Sequence, residues 1–576
     1  MIAKRTITWK EKSLKKVIER HWSILVSLII LWFVMGLLLA YSFNLNEGHI
    51  VYALDDTYIH LAIAKNFSQK GVWGVTDEGF SSSSSSLLYS LLLSLIFLFG
   101  PNEIAPLIIN LVAANLFLCF VYYILKIKYN LPPYATFTGL ILLIFLIPLP
   151  FLIFTGMEHT IQIFIFIVFV YLASIILADD NIKERKIRFY NEEGKLFFSQ
   201  DHLFLLVAPL VTMVRYEGMF LIIVIAGMFL LRKKFFYSFL IIGMGFLPIV
   251  VFGLISTSQG WYFFPNSVIL KGNEPDFISV KGFLEFFDLK LLIKAPHISI
   301  LLVGALLIMG TLFFKKKEIW NEFSIMALIF IGVTLMHLFL IGITEENQNL
   351  SRYDGYLVAL GIILLFISIN DGIPENLTIS HLKEYFLIIK ENIKKYLIQI
   401  VGAIFIIIVL FSSYIPRSYN LIRKTPLASN NIYEQPYQVG LFLDKYYDGE
   451  CIAANDIGAM NFHADIDCLD LRGLGSRRVA KARIEDDFDT EFVQKQAEKK
   501  DCVIAIIFEH KDYGYDVPDE WAKAGEWTVR DNVVLGDDTI SFWAVVPSEY
   551  NDLINNLKQF SEKLPSTVKE SGNYTL

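Results

Sequence analysis

The stretch "LLYSLLLSLIFLF", residues 87–99, is apolar enough to enter a membrane and too short to cross one. As a helix it would rise only about 20 Å against a hydrocarbon core of roughly 30 Å. Its placement sets the side of every loop that follows. Longer apolar runs surround it, near 22–43, 103–125, 134–154, 160–178, 236–256, 297–314, 323–343, 354–370 and 396–415. The stretch 202–231 is interrupted by "VRYEG" and reads as two short spans. If 87–99 crossed, Lys183, Arg185, Lys186 and Arg188 would fall outside, as would Arg232, Lys233 and Lys234. If it lies along the outer surface, the basic loops 126–128, 183–195, 232–234, 315–317 and 383–395 all face the cytoplasm, as the positive-inside rule requires. Eleven spans follow, with the N-terminus inside and the C-terminus outside the plasma (inner) membrane. Arg417, Arg423 and Lys424, on the outer side, dissent in a small way.

The composition agrees. A chain of 576 residues with 55% hydrophobic and 19% charged residues, and a mean hydropathy of +0.51, fits a polytopic α-helical membrane protein and not a soluble one. A net charge of −7 gives no reason to expect nucleic acid. Residues 1–21 form a basic cytoplasmic N-terminus, and 22–43 is too long for a signal h-region and lacks a cleavage site, so it is expected to stay as the first span. Residues 22–415 make the transmembrane domain, with external loops 44–102 and 257–296. The polar tail, 416–576, alternates short β-rich runs (451–456, 502–508, 528–535, 539–546) with helical patterns near 435–447, 487–499 and 548–563, which predicts a small extracytoplasmic α/β domain. "NDIGAMNF" follows the first of these strands with one glycine, a weak basis for a nucleotide site. Cys451, Cys468 and Cys502 lie in the tail and Cys119 in a span. The tail allows at most one bridge; no CxxC suggests zinc, and buried free thiols are expected.

This topology gathers the unusual residues on the outer face. "DDTYIHLAIAKNF" in the loop 44–102 carries Asp55 and Asp56. "TGMEH", between the third and fourth spans, carries Glu158 and His159, and "VRYEG" carries Arg215 and Glu217. "PNSVILKGN" in the loop 257–296 carries Asn266 and Lys271, and "NLSRYDGY", entering the tenth span, carries Arg352 and Asp354. Ionisable groups at membrane depth are functional candidates by default. A carboxylate held at a helix end can take a proton from a substrate hydroxyl, and an anionic leaving group calls for cations where negative charge develops. Arginine suits phosphate because its planar fork bonds two oxygens at once. Arg352, Lys271, Arg215 and His159 are thus candidates for a donor phosphate, and Glu158, Glu217 and Asn266 for orienting substrate. Each residue alone has a plainer account. An Asp-Asp can be a helix N-cap, Glu158 a turn residue, Arg215 a snorkelling side chain, and Arg352 with Asp354 an ordinary pair. The six serines 81–86 read as a linker on composition alone, but they lead straight into the helix 87–99, so the N-cap reading is kept and no chemistry is assigned to them. Together the acids and cations point to group transfer from a lipid-linked phosphate to a hydroxyl at the outer leaflet.

These residues resemble the GT-C superfamily of integral-membrane glycosyltransferases, which use polyprenyl-phosphate sugars, and most of all its arabinofuranosyltransferase-like and mannosyltransferase-like members. The resemblance covers roughly 20–415. It rests on "DDTYIHLAIAKNF", "SSSLLYSLLLSLI", "TGMEH", "RYEG", "PNSVILK" and "SRY", and extends into the tail through "NDIGAMNF…DLRGL". It implies an inverting transfer with an Asp general base, by position Asp55, and with Asp56 orienting the substrate or its partner. It implies that 87–99 is a juxtamembrane helix. Some members hold a divalent metal with two acidic motifs from the first two external loops and others use none; "TGMEH" offers one acid, and both alternatives stay open. The donor would be a polyprenyl-phosphate sugar and the acceptor an envelope glycan, lipid or protein. The alternative is a transporter or flippase for a polyprenyl-linked glycan, which predicts charges inside the bundle and an internal repeat. A non-enzymatic scaffold leaves the gathered acids and cations unexplained.

Overall fold

The computed structural model describes residues 2–179, 199–270, 295–314, 319–340, 352–370, 410–509 and 513–575. Most of the span 396–415, the basic loops 183–195, 315–317 (all) and 383–395, and Lys271 lie outside the described residues.

The chain is a polytopic helical membrane protein with a small C-terminal sheet domain. Six described helices are long and apolar enough to cross a membrane: Val17–Leu45, Ala105–Lys128, His159–Ala178, Phe235–Ser258, Pro296–Phe314 and Glu322–Phe339. Shorter apolar helices accompany them: Leu87–Phe97, Pro133–Leu146, Gln200–Val214, Gly218–Leu231 and Gly355–Ile369. The run 134–154 is one span in the sequence and two helices in the structure, Pro133–Leu146 and Leu149–Phe154. Pro148, at φ +21°, stands between them; with no N–H to donate, proline cannot continue the ladder. Residues 202–231 do form two short helices, separated by Arg215–Glu217.

Leu87–Phe97 is a helix of 11 residues, about 16 Å long, and packs on the helix Asp56–Lys70. Ser86 caps it, accepting the Tyr89 N–H at 3.2 Å. The serines ahead of it are no solvated linker, since Ser81, Ser82, Ser83, Ser84 and Ser86 are all buried. Asp56–Lys70 is buried on nearly every side from Thr57 to Ala64. It is wedged between Leu87–Phe97 and the short tail helix Ala459–His463. This places the Asp pair where the membrane domain meets the tail.

In the tail, the helix Ile415–Ile432 runs beside the first helix. The sheet that follows has the order β2-β1-β3-β5-β4-β6. Its strands are β1 (Cys451–Ala454), β2 (Asp467–Asp470), β3 (Ile504–Ile507), β4 (Ala522–Thr528), β5 (Thr539–Ala544) and β6 (Lys569–Gly572). β1 pairs in parallel with β2 and β3; the other pairings are antiparallel. The expected strand 528–535 is corrected: β4 ends at Thr528, and beyond it Asn532 accepts the N–H groups of Val534 and Leu535 in a turn. β2 and β6 are additional to the expected strands. The expectation of free thiols is also corrected. Cys451, opening β1, is bonded to Cys502, just ahead of the parallel neighbour β3, with Cα atoms 4.3 Å apart. Cys119 and Cys468 are unbridged.

Candidate active site

The approach to the Asp pair is fixed from below. The Ala53 N–H donates to the Phe154 carbonyl at 3.3 Å, and the Thr57 hydroxyl donates to the Thr155 carbonyl. Gly156 turns the chain here at φ +68°, and a Cβ on it would lie 2.5 Å from the Tyr52 ring. The "TGMEH" turn and the Asp-Asp segment are thereby tied together.

Asp55 stands at the N-cap position of Asp56–Lys70 yet makes no side-chain cap bond to it. Its carboxylate instead reaches the tail: Oδ2 accepts the Gly458 N–H and Oδ1 the Ala459 N–H, both at 2.8 Å. A Cβ on Gly458 would collide with the Asp55 carbonyl and carboxylate, so the approach needs glycine. Burial, with the negative charge of Asp456 beside it, pushes the Asp55 carboxyl up to about 8 against the pull of the two amides.

Asp56 faces the other way. Its Oδ2 accepts a hydrogen bond from Arg352 Nη2 at 3.0 Å. The Arg352 side chain is only 9% exposed, and its Nε and Nη1 have no hydrogen-bond partner among the described residues. The guanidinium carbons of Arg352 and Arg215 lie 5.1 Å and 4.9 Å from the centre of the Tyr353 ring, and the His159 ring meets it edge-on at 5.6 Å. Arg215 is saturated, forking onto Glu217 at 3.0 and 2.6 Å and reaching Glu158 Oε1 at 2.8 Å. Glu158 also accepts from the Ser85 hydroxyl at 3.1 Å and lies 3.5 Å from His60 Nε2. The other nitrogen of His60 is 2.8 Å from the Ser90 hydroxyl, and burial holds His60 below its ordinary range.

Seven of the nine candidate residues therefore converge: Asp55, Asp56, Arg352, Arg215, His159, Glu158 and Glu217. Asn266 is set apart at a joint between domains, its amide donating to the Gly473 carbonyl at 2.7 Å and its N–H to the Ser82 carbonyl at 2.9 Å. Lys271 lies outside the described residues. Arg352 does not pair with Asp354, which takes Arg417 at 2.6 Å and His297 at 2.6 Å. Sequence reasoning missed Tyr353, His60, Ser85 and the Gly458–Ala459 amides. Only the serine run carries a visible signal, and it reads as a helix cap with no chemistry assigned. Among the described residues, no group of three or more His, Cys, Asp or Glu side chains is placed to hold a metal.

Residues 430–543 match the model of a family described as a domain of unknown function, DUF8728. A comparison with curated proteins finds no match. Among solved structures, the chain is similar to ArnT from Cupriavidus metallidurans bound to undecaprenyl phosphate, with 11% identity and a TM-score of 0.48 over 90% of this chain and 98% of that one. It is also similar to the apo oligosaccharyltransferase of Archaeoglobus fulgidus, with 10% identity and a TM-score of 0.46 over 88% of this chain and 73% of that one.

Proposed function

We propose that this protein is a membrane glycosyltransferase that moves a sugar from a polyprenyl-phosphate donor to a hydroxyl of an envelope acceptor at the outer membrane face. The observation that carries the proposal is Arg352. A guanidinium buried beside Asp56, with two nitrogens unpaired among the described residues, is costly unless an anion completes it. Asp56 holds one arm of Arg352 and so aims Nε and Nη1 at that anion, which fits its role as the orienting partner. In an apolar helical protein a lipid-linked phosphate is the natural anion, and the sequence resemblance to GT-C enzymes points the same way.

The chemistry then runs as follows. The acceptor oxygen attacks the anomeric carbon from the face opposite the phosphate. The bond between that carbon and the phosphate oxygen breaks, and its electron pair leaves with the polyprenyl phosphate, whose charge Arg352 receives. The acceptor proton passes to Asp55. Two backbone amides fix that carboxylate, a carboxylate has lone pairs beyond the two they engage, and a carboxyl raised to about 8 is a stronger base than an ordinary Asp. A translocation path would place its charges within the bundle, whereas Glu158, Arg215, Glu217 and Asp354 all sit at helix ends, so transport gains no support. The protein reconstituted in vesicles with radiolabelled polyprenyl-phosphate sugar and an envelope extract should move label into glycan, lipid or protein. Label that stays on the polyprenyl phosphate while crossing the bilayer would overturn the transferase reading in favour of the flippase.

A further inference from the structure

We propose that the cleft between the first external segment and the tail is a subsite for an anionic glycan, and that, given the transferase reading above, this glycan is the acceptor. The cleft measures about 670 Å³, within the range of small-molecule sites. One wall is the segment 75–81; the other is β2 with the helices Arg477–Ile484 and Thr490–Lys499. Its charge is unbalanced. Lys500 is spent on Asp467, with Glu78 at 3.6 Å. Asp470 is spent on the N–H groups of Arg472 and Gly475, at 2.7 and 2.5 Å. Lys481 faces Glu485 at 3.7 Å, and Arg478 reaches only the Gln496 amide oxygen, at 3.4 Å. Arg477 and Lys499 line the cleft and have no ion pair or hydrogen bond among the described residues. Cations gathered on the walls of a cleft raise the local concentration of oxyanions there.

The cleft also borders the loop that holds Asp55. Ile457 and Val75 contribute apolar surface to it, suited to the C–H face of a sugar ring, and Ile457 immediately precedes Gly458, whose N–H holds Asp55. A chain of sugars lying there offers a hydroxyl on every ring beside that loop. A lipid headgroup layer fits less well, because the cleft is walled on two sides, by the segment 75–81 and by β2 with its helices, a shape that takes a chain of rings and not a flat surface.

The test uses the full chain in neutral phosphatidylcholine nanodiscs, with three soluble probes: tetragalacturonate, a glycerol-phosphate oligomer and uncharged maltotetraose. Binding to either anionic probe, weakened about tenfold or more by Arg477→Gln with Lys499→Gln and by raised salt, and absent for maltotetraose, is the expected result. Which anionic probe binds tells carboxylate from phosphate. Arg477→Lys should keep binding, and Lys499→Gln alone, on an exposed helix end, serves if the double variant does not fold. Equal binding of maltotetraose, or unchanged binding by the variants, overturns the proposal. So does flotation with phosphatidylglycerol vesicles that the same variants abolish while no soluble probe binds. The unaltered protein should bind the anionic probe whether or not it transfers sugar, so failure of the transferase reading shows as binding with no transfer of label, and failure of the subsite as transfer with no binding.

Discussion

Asp55 and Asp56 are neighbours in sequence and opposites in environment. Successive helical residues point about 100° apart, and here one carboxylate meets two tail amides while the other meets Arg352. Their substitutions should therefore differ in kind. Asp55→Asn should cost on the order of 10²–10⁴ in kcat, the usual loss for a missing base. Asp56→Asn should raise KM for the donor while leaving measurable turnover, because its loss frees Arg352 to swing. Steady-state assays over a range of donor concentrations check both, and an Asp56→Asn enzyme that is dead beside an active Asp55→Asn enzyme would exchange the roles. The pH profile follows from the same site. A base must be deprotonated to act, so kcat should rise through a midpoint near 8. Asp456→Asn removes a negative charge that opposes ionisation of Asp55 and should move that midpoint down. Arg352→Lys keeps the charge and loses the fork; with charge-assisted bonds worth about 1.5–3 kcal/mol, kcat/KM should fall about tenfold or more.

At the scale of elements, the loop after β1 does what no motif announces. "NDIGAM" looked like a poor nucleotide loop, and its single glycine is instead the place where tail backbone touches the carboxylate of Asp55. Gly458→Ala should force the two domains apart locally, costing about 1–3 kcal/mol as overpacking does, and activity should drop with it. Ala459→Gly keeps its N–H and should leave activity near normal; thermal unfolding and turnover of the pair check this. Ser86→Ala should cost about 1 kcal/mol through the lost cap of Leu87–Phe97. Much of this level was legible in the sequence. The short helix at 87–97, the broken 202–231 and the strands β1, β3 and β5 follow from length, interruption and β-branched runs. What was not legible has local causes. β2 is "DCLD", with aspartates at both ends, and carries no alternating apolar pattern. The turn after Thr528 is made by an Asn side chain bonding ahead of itself, which can outcompete a strand in a valine-rich run. The site shows the same division. Charged residues at span ends could be listed from sequence, but that Arg352 chooses Asp56 over the nearer Asp354 depends on Arg417, more than sixty residues along the chain.

For the whole molecule, the open question of sidedness meets two independent features. The positive-inside rule predicts an external tail, with Arg417, Arg423 and Lys424 as the dissent; Arg417 is neutralised by Asp354 at 2.6 Å, which removes part of that objection. A reporter fused after residue 100 or 420 should then report an external location, and one after residue 130 an internal one. The disulfide supplies the second feature. Cys451 and Cys502 are 51 residues apart, and closing a loop of that size is worth on the order of 4 kcal/mol in the chain-entropy model. Such bonds persist in oxidising compartments and are rare in the cytosol, so the bond and the tail's location stand or fall together. Intact cells treated with a thiol-reactive mass tag, then denatured, should yield chains in which Cys451 and Cys502 take up label only after reduction. The same chains should show a lower midpoint of tail unfolding once reduced, and Cys451→Ser with Cys502→Ser should reproduce that midpoint without reductant. Immediate labelling of both residues would place the tail in a reducing compartment, and with it the Asp pair that the tail holds.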